Sequence, residues 1–210
     1  MTQDYSRHLR GLYIVTPDWD DTAQLLTATE LALQNGVALV QYRHKTASEE
    51  LRREQASALL ALCRRHDVPL VINDYVALCI ELDADGIHVG GTDASIAEVR
   101  KAVGPDKIVG ASCYGTLQLA RDAWKDGASY VAFGGFYPSR VKKYDFRTDP
   151  EIIAQSKLEI PLPVVVIGGI TLENAPPLVA QGADMVAVIS SVYLVPEEER
   201  KTRELASLYR

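Results

Sequence analysis

An α/β fold, a single small (β/α)8 TIM barrel, is what this sequence predicts, on three observations. Eight short apolar runs alternate with amphipathic runs from one end of the chain to the other, a pattern that calls for parallel strands joined by helical crossovers. The eight units leave no segment over. A glycine-bearing join recurs before every second strand. The length of 210 residues lies near the lower end for such a barrel, so its connections must be short. If the runs close into one barrel, the C-terminal ends of the strands share one rim, and the active site belongs on that rim.

Strands are expected at residues 11–16, 39–43, 70–73, 86–89, 108–112, 130–134, 164–168 and 185–190, after an N-terminal extension of residues 1–10. Helical patterns fill the gaps, clearest over 21–34, 48–66 and 95–103. Leu25, Leu26, Thr29 and Leu33 share a face of the first, and Leu51, Ala58, Leu59 and Leu62 a face of the second. The joins entering strands 2, 4, 6 and 8 carry Gly36, Gly86, Gly127 and Gly182, each followed by an apolar strand. A glycine there supplies the left-handed residue that ends a helix, and its recurrence suggests quarter-barrel units. Ser95 to Glu98 reads as a capping box, which leaves Asp93 free for another task. Asp74, by contrast, could cap a helix running from Tyr75.

Composition narrows the function. A net charge of −6 argues against nucleic-acid or membrane-surface binding, so a phosphorylated small molecule must meet a local cationic site. Three cysteines without C-x-x-C spacing point to reduced thiols, and no run approaches the length of a membrane span. The expectation is a soluble cytoplasmic protein with phosphorylated small-molecule substrates, no nucleic acid and no membrane, compatible with a homodimer.

The strand ends carry the chemistry. Gln41, Arg43 and Lys45 alternate, so period-2 geometry puts them on one face, with Tyr42 and His44 on the other. Inward Arg and Lys suit a multiply charged anion; a solvated basic loop is the plain alternative. Asn73-Asp74 and Asp93 end neighbouring strands with no His or Cys ligand beside them, which suits a hard cation such as Mg2+ completed by water and phosphate oxygens. Gly168-Gly169 after strand 7 and Ile189-Ser190-Ser191 after strand 8 suit a phosphate grip of backbone amides. The long loop from Gly134 to Lys143 suits a lid that carries a lysine, or else a basic surface loop.

Together these segments resemble the thiamine-phosphate synthase (thiamine-phosphate pyrophosphorylase) family from Gly11 to Ser191. The matching pieces are Gln41-x-Arg43-x-Lys45, Asn73-Asp74, Asp85-Gly86-Ile87-His88-Val89-Gly90 with Asp93 behind it, Gly110-Ala111-Ser112, the loop ending at Lys142, Ile167-Gly168-Gly169-Ile170, and Ile189-Ser190. The resemblance implies that Gln41 to Lys45 (Tyr42 and His44 included), Asn73, Ser112 and Lys142 hold an aminopyrimidine diphosphate, with Arg43, Lys45, Ser112 and Lys142 catalytic. It further implies Mg2+ on Asp74 and Asp93, and a thiazole phosphate held by Ser139, Arg140, Val141, Gly169, Ile189 and Ser190. The family joins the two substrates and releases diphosphate, and CO2 as well when the thiazole is carboxylated.

Departures cluster on the thiazole side. The family's Gly-Pro reads Gly134-Gly135 here, which should loosen the lid; its Pro-Thr-x-Thr-Lys reads Pro138-Ser139-Arg140-Val141-Lys142, and its Ser-x-His reads Ser112-Cys113-Tyr114. Two other readings stay open: a thiazole tautomerase-like paralogue, which needs the histidine that Tyr114 replaces, and a thiazole-phosphate binder without turnover. His88 reads as a packed, hydrogen-bonded barrel residue, and Trp19 and Trp124 as packing or surface residues.

Overall fold

The computed structural model describes residues 9–90, 95–139, 145–194 and 197–209. Eight parallel strands close in sequence order, with the last pairing back onto the first. They are β1 Gly11–Val15, β2 Val37–Tyr42, β3 Leu70–Asn73, β4 Gly86–Val89, β5 Ile108–Tyr114, β6 Tyr130–Gly134, β7 Val164–Ile167 and β8 Met185–Val188. The outer ring is α1 Thr22–Gln34, α2 Glu49–Arg65, α3 Val76–Glu81, α4 Ile96–Val103, α5 Leu117–Lys125, α6 Glu151–Glu159 and α7 Ala175–Ala180, followed by α8 Ser190–Tyr193 and α9 Glu198–Ser207. Two helices follow β8 among the described residues, where one was expected, because the chain turns at Ile189 straight into the short α8. None of these helices is long and apolar enough to cross a membrane.

Apolar side chains sort by strand periodicity into two layers. Leu39, Val71, Ile108, Val165 and Met185 fill the barrel interior, and Leu9, from just before β1, joins them at its N-terminal end. The larger cluster, with Leu12, Ile14, Leu59, Ile72, Ile87 and Val166, lies between sheet and helices. Burying each such side chain contributes roughly 1.5–3 kcal/mol, and an interior filled by side chains leaves the site to the strand ends. Asp21, Ser48 and Ser95 cap α1, α2 and α4 by accepting from the amides of Gln24, Leu51 and Glu98. The capping role expected of Ser95 is therefore observed, whereas α3 starts after Tyr75 with no side-chain cap, so Asp74 does not cap it.

The recurring join turns out to be a staple. Gly36, Gly127 and Gly182 are left-handed, at φ of 96°, 91° and 104°. In the join to β4 that conformation falls on Asp83, with φ of 51°, and not on Gly86, so the repeat lies three residues earlier there than the glycine suggests. Gly86 serves close approach instead, since a Cβ on it would stand 2.3 Å from the Ile108 carbonyl oxygen. Two residues after each left-handed position, Asp85, Ser129 and Asp184 accept from the amides of Leu70 (2.8 Å), Val109 (3.0 Å) and Val164 (2.7 Å). Each of β4, β6 and β8 is thereby pinned to the strand before it, at the end of the barrel away from the rim. The equivalent in β2 is Ala38, which packs against Gly11.

Candidate functional site

A cavity opens at the C-terminal strand ends, enclosing about 860 Å³ of space with its open mouth included, and all eight strands or the loops after them line it. Gln41 and Arg43 face it, as the alternation in β2 requires. Tyr42 and His44 do not, which corrects their place among the substrate-binding residues. Tyr42 is buried between sheet and α2, with its hydroxyl donating to Gln55 Oε1 at 3.0 Å. His44 is buried too: its Nδ1 accepts from the Ala47 amide (3.1 Å), which leaves Nε2–H to face Asp20 Oδ1 at 3.1 Å. Both side chains serve to fix the strand end from outside.

The β1–α1 loop holds Arg43 from the other direction. Thr16 exchanges two hydrogen bonds with the Arg43 backbone, at 2.8 and 3.0 Å. Asp18 accepts from the Arg43 guanidinium at 3.1 and 3.3 Å and from the Lys45 amide at 3.0 Å. Lys45 stands at the rim with its ammonium on Asp74 Oδ2. Asp74 occupies the left-handed region, at φ of 63°. That turn aims its carboxylate across the strand ends, where it also accepts from Asn73 Nδ2 (2.7 Å) and the Gly90 amide (3.1 Å). Burial works against its charge, but the bonds from Lys45 and Gly90 outweigh it and hold the carboxyl below the ordinary value. Asn73 lines the cavity beside it.

The opposite side is built from backbone. Gly168 and Gly169 are left-handed, and a Cβ on Gly169 would stand 2.2 Å from the Pro138 carbonyl oxygen. Only glycine lets the loop after β6 lie against the loop after β7, an approach sealed by the Tyr137 amide donating to Gly168 O at 3.1 Å. Asn174 donates to Gly169 O at 3.0 Å and accepts from the Thr171 amide at 2.8 Å, and Ser191 donates to Ile170 O at 2.5 Å. Gly169, Ile189, Ser190 and Ser139 all line the cavity. Gly135 is buried and left-handed, at φ of 82°, a conformation closed to proline. Its amide donates to Ile167 O and its carbonyl accepts from the Thr148 amide, so the loop is tied down at Gly135 itself. Tyr114 also has a positive φ, of 52°, after a bulge in β5, and it does not line the cavity.

The floor is polar. Tyr13 and Tyr130, fully buried inside the barrel, join hydroxyls at 2.8 Å, and Ser112 and His88 meet above them at 2.9 Å. Asp93, Arg140, Val141 and Lys142 lie outside the described residues.

The family model described as Thiamine monophosphate synthase matches residues 12–192. The chain belongs to that family. It is 60% identical to the thiamine-phosphate synthase of Janthinobacterium sp. (strain Marseille), over 96% of this chain and 98% of that one. It is 47% identical to the thiamine-phosphate synthase of Methylobacillus flagellatus, over the whole of both. The solved thiamine phosphate pyrophosphorylase of Pyrococcus furiosus superposes with a TM-score of 0.84 at 30% identity, covering 97% of this chain and 96% of that one. Like other members of the thiamine monophosphate synthase family, the chain is an enzyme, a transferase of thiamine biosynthesis.

Within that family frame, the cavity brings together Gln41, Arg43, Asn73, Ser112, Ser139, Gly169, Ile189 and Ser190, with Lys45 and Asp74 joined at its rim. No three His, Cys, Asp or Glu residues gather as a metal site among the described residues, and Asp74 supplies one hard carboxylate there. Sequence reasoning missed Tyr13, Tyr130, Asp18 and Thr148. Tyr130 had a faint signal, since Gly110 is the residue that leaves room for its ring.

Proposed function

We propose that the chain condenses an aminopyrimidine diphosphate with a thiazole phosphate to give thiamine phosphate and diphosphate, losing CO2 as well when the thiazole is carboxylated. The observation that supports this best is one cavity with two unlike walls: Arg43 in its lining with the Lys45–Asp74 pair at its rim on the β2–β4 side, glycine-opened backbone on the β6–β8 side. Two phosphorylated substrates need two such grips, facing each other across the reacting atoms.

Gln41, Asn73 and Ser112 hold the pyrimidine, while Arg43, Lys45 and Lys142 neutralise the departing diphosphate. Ser139, Arg140, Val141, Gly169, Ile189 and Ser190 hold the thiazole phosphate. Loss of diphosphate leaves a methylene cation that the ring amino group stabilises, and the thiazole nitrogen already has a lone pair. No base is needed, so the protein's part is leaving-group stabilisation and positioning. Asp18 keeps the Arg43 fork aimed at the mouth, at 3.1 Å, until the diphosphate arrives. Mg2+ suits the donor set, because Asp74 is a charged oxygen ligand and Mg2+ takes the rest from phosphate and water. Asp74, with Asp93, would hold it, and it would neutralise diphosphate charge.

The tautomerase-like and non-catalytic alternatives fit less well, because neither needs a carboxylate and cations opposite the phosphate grip. A cytoplasmic location and a homodimer belong to the same proposal, the latter checked by light scattering. The decisive assay mixes purified protein, both substrates and Mg2+, then detects thiamine phosphate by oxidation to its fluorescent product. Product is expected; none, beside an active synthase run in parallel, would leave the non-catalytic reading.

A further inference from the structure

Five polar side chains form a hydrogen-bonded chain across the barrel interior beneath the cavity. Gln41 Nε2 donates to Tyr13 Oη, which stands 2.8 Å from Tyr130 Oη. Tyr130 Oη is 2.8 Å from His88 Nδ1, and His88 Nε2 is 2.9 Å from Ser112 Oγ. Gln41 and Ser112, at the two ends, line the cavity. Tyr13 and His88 touch the cavity as well, while the two phenols stay almost wholly buried, Tyr13 at 1% and Tyr130 at 0% exposure. Tyr130 is seated with care: its ring stacks on His88 at 5.7 Å, and a Cβ on Gly110 would stand 2.1 Å from the ring carbon that bears the hydroxyl. Phenylalanine would fill the same volume, so packing alone does not account for two buried hydroxyls. Burial pushes both phenols up, so each keeps one proton to give.

One proton per hydroxyl makes the chain directional. With Gln41 donating, Tyr13 must donate to Tyr130, and Tyr130 to His88 Nδ1. The neutral imidazole then carries its proton on Nε2 and donates to Ser112, whose own O–H is left for the cavity. Reversing one bond reverses them all, because otherwise a buried hydroxyl would accept from both sides and leave its own proton without an acceptor.

We propose that Tyr13, Tyr130 and His88 are positioning residues that set, in opposite senses, the hydrogen-bonding faces Gln41 and Ser112 turn to the ligand. In the polarity of this structure Gln41 offers its oxygen as acceptor and Ser112 offers a donor. That pair complements a heterocycle that carries an amino group as donor and a ring nitrogen as acceptor. The match to the aminopyrimidine rests on the function proposed above; the polarity of the chain does not.

The test is nitrogen NMR of the ligand-free protein labelled in its histidine rings, with the His88 signals identified by their loss in His88→Asn. A neutral His88 ring protonated at Nε2 is expected, and Tyr130→Phe or Tyr13→Phe should each let the ring populate the other tautomer. A proton on Nδ1 or on both nitrogens in the unaltered protein would overturn the proposal, as would a tautomer indifferent to both phenylalanine variants. In kinetics, Tyr130→Phe should raise KM for the aminopyrimidine diphosphate roughly five- to tenfold, the scale of one neutral hydrogen bond, and leave KM for the thiazole phosphate unchanged. Equal rises in both would mark general distortion and count against the proposal. If the unaltered protein shows the expected tautomer yet makes no thiamine phosphate, the polarity stands and the functional reading falls.

Discussion

The two walls of the cavity are built by opposite means. On the β2–β4 wall the grip is made of side chains that brace one another: Asp18 on Arg43, Asp74 on Lys45, Asn73 and the Gly90 amide on Asp74. On the β6–β8 wall backbone takes the place of side chains, with Gly169 letting the Pro138 carbonyl lie where a Cβ would be and Gly135 turning its loop back under Thr148. A wall of side chains fails by losing charge, and a wall of backbone fails by gaining atoms. The difference also bears on why the departures from the family pattern fall where they do. On the second wall the proposed grip at Gly169 is backbone, so exchanging side chains in the neighbouring loop would leave that part of it in place.

That contrast can be broken or sharpened by substitution. The largest effect should come from the charged wall: Arg43→Ala or Lys142→Ala should lower kcat on the order of 10²–10³-fold, measured in the fluorescent-product assay, because each removes transition-state charge stabilisation. Near-normal rates in both would dissolve the contrast. Next is the floor between the walls. Gly110→Ala drives a methyl into the Tyr130 ring and should destabilise the fold by about 1–3 kcal/mol, read from urea unfolding. Asp18→Asn keeps the shape but weakens the tether on Arg43, and a loss of roughly tenfold in kcat/KM is expected, near the worth of one charged hydrogen bond.

The smallest effect is in pH dependence. Asp74 is held below its ordinary value in the folded state, so its stabilisation is fully present above the unfolded value and lost as pH falls through the folded one. The Tm difference between the parent protein and Asp74→Asn should stay constant from neutral pH to about 4 and shrink below that. A difference flat to the acid limit would mean the Lys45 pairing adds nothing.

Much of this was legible in the sequence, and the reasons are physical. Strand alternation placed Gln41 and Arg43 in the cavity and turned Tyr42 away, because a period of two leaves no other choice. The same rule turned His44 outward, against its inclusion among the binding residues. Asp74 could be seen as a carboxylate at a strand end, but its freedom from capping was not visible, since that depends on a left-handed turn beyond β3. The repeat was recognised by its glycines and misplaced at Gly86, where Asp83 adopts the left-handed turn in a glycine's stead. Tyr13 and Tyr130 stayed hidden because they are 117 residues apart and meet only when the barrel closes. His88 was expected to be packed and hydrogen-bonded, and it is, while also lining the cavity.

The most direct test of the two-wall account is a crossed measurement of KM for both substrates in Arg43→Ala and Gly169→Ala. Arg43→Ala should raise KM for the aminopyrimidine diphosphate at least tenfold, roughly the worth of a charged contact, and leave the thiazole phosphate near its parent value. Gly169→Ala, with a methyl forced against Pro138 in a left-handed backbone, should do the reverse. Both variants raising both constants alike would contradict the division of the cavity into two separate grips.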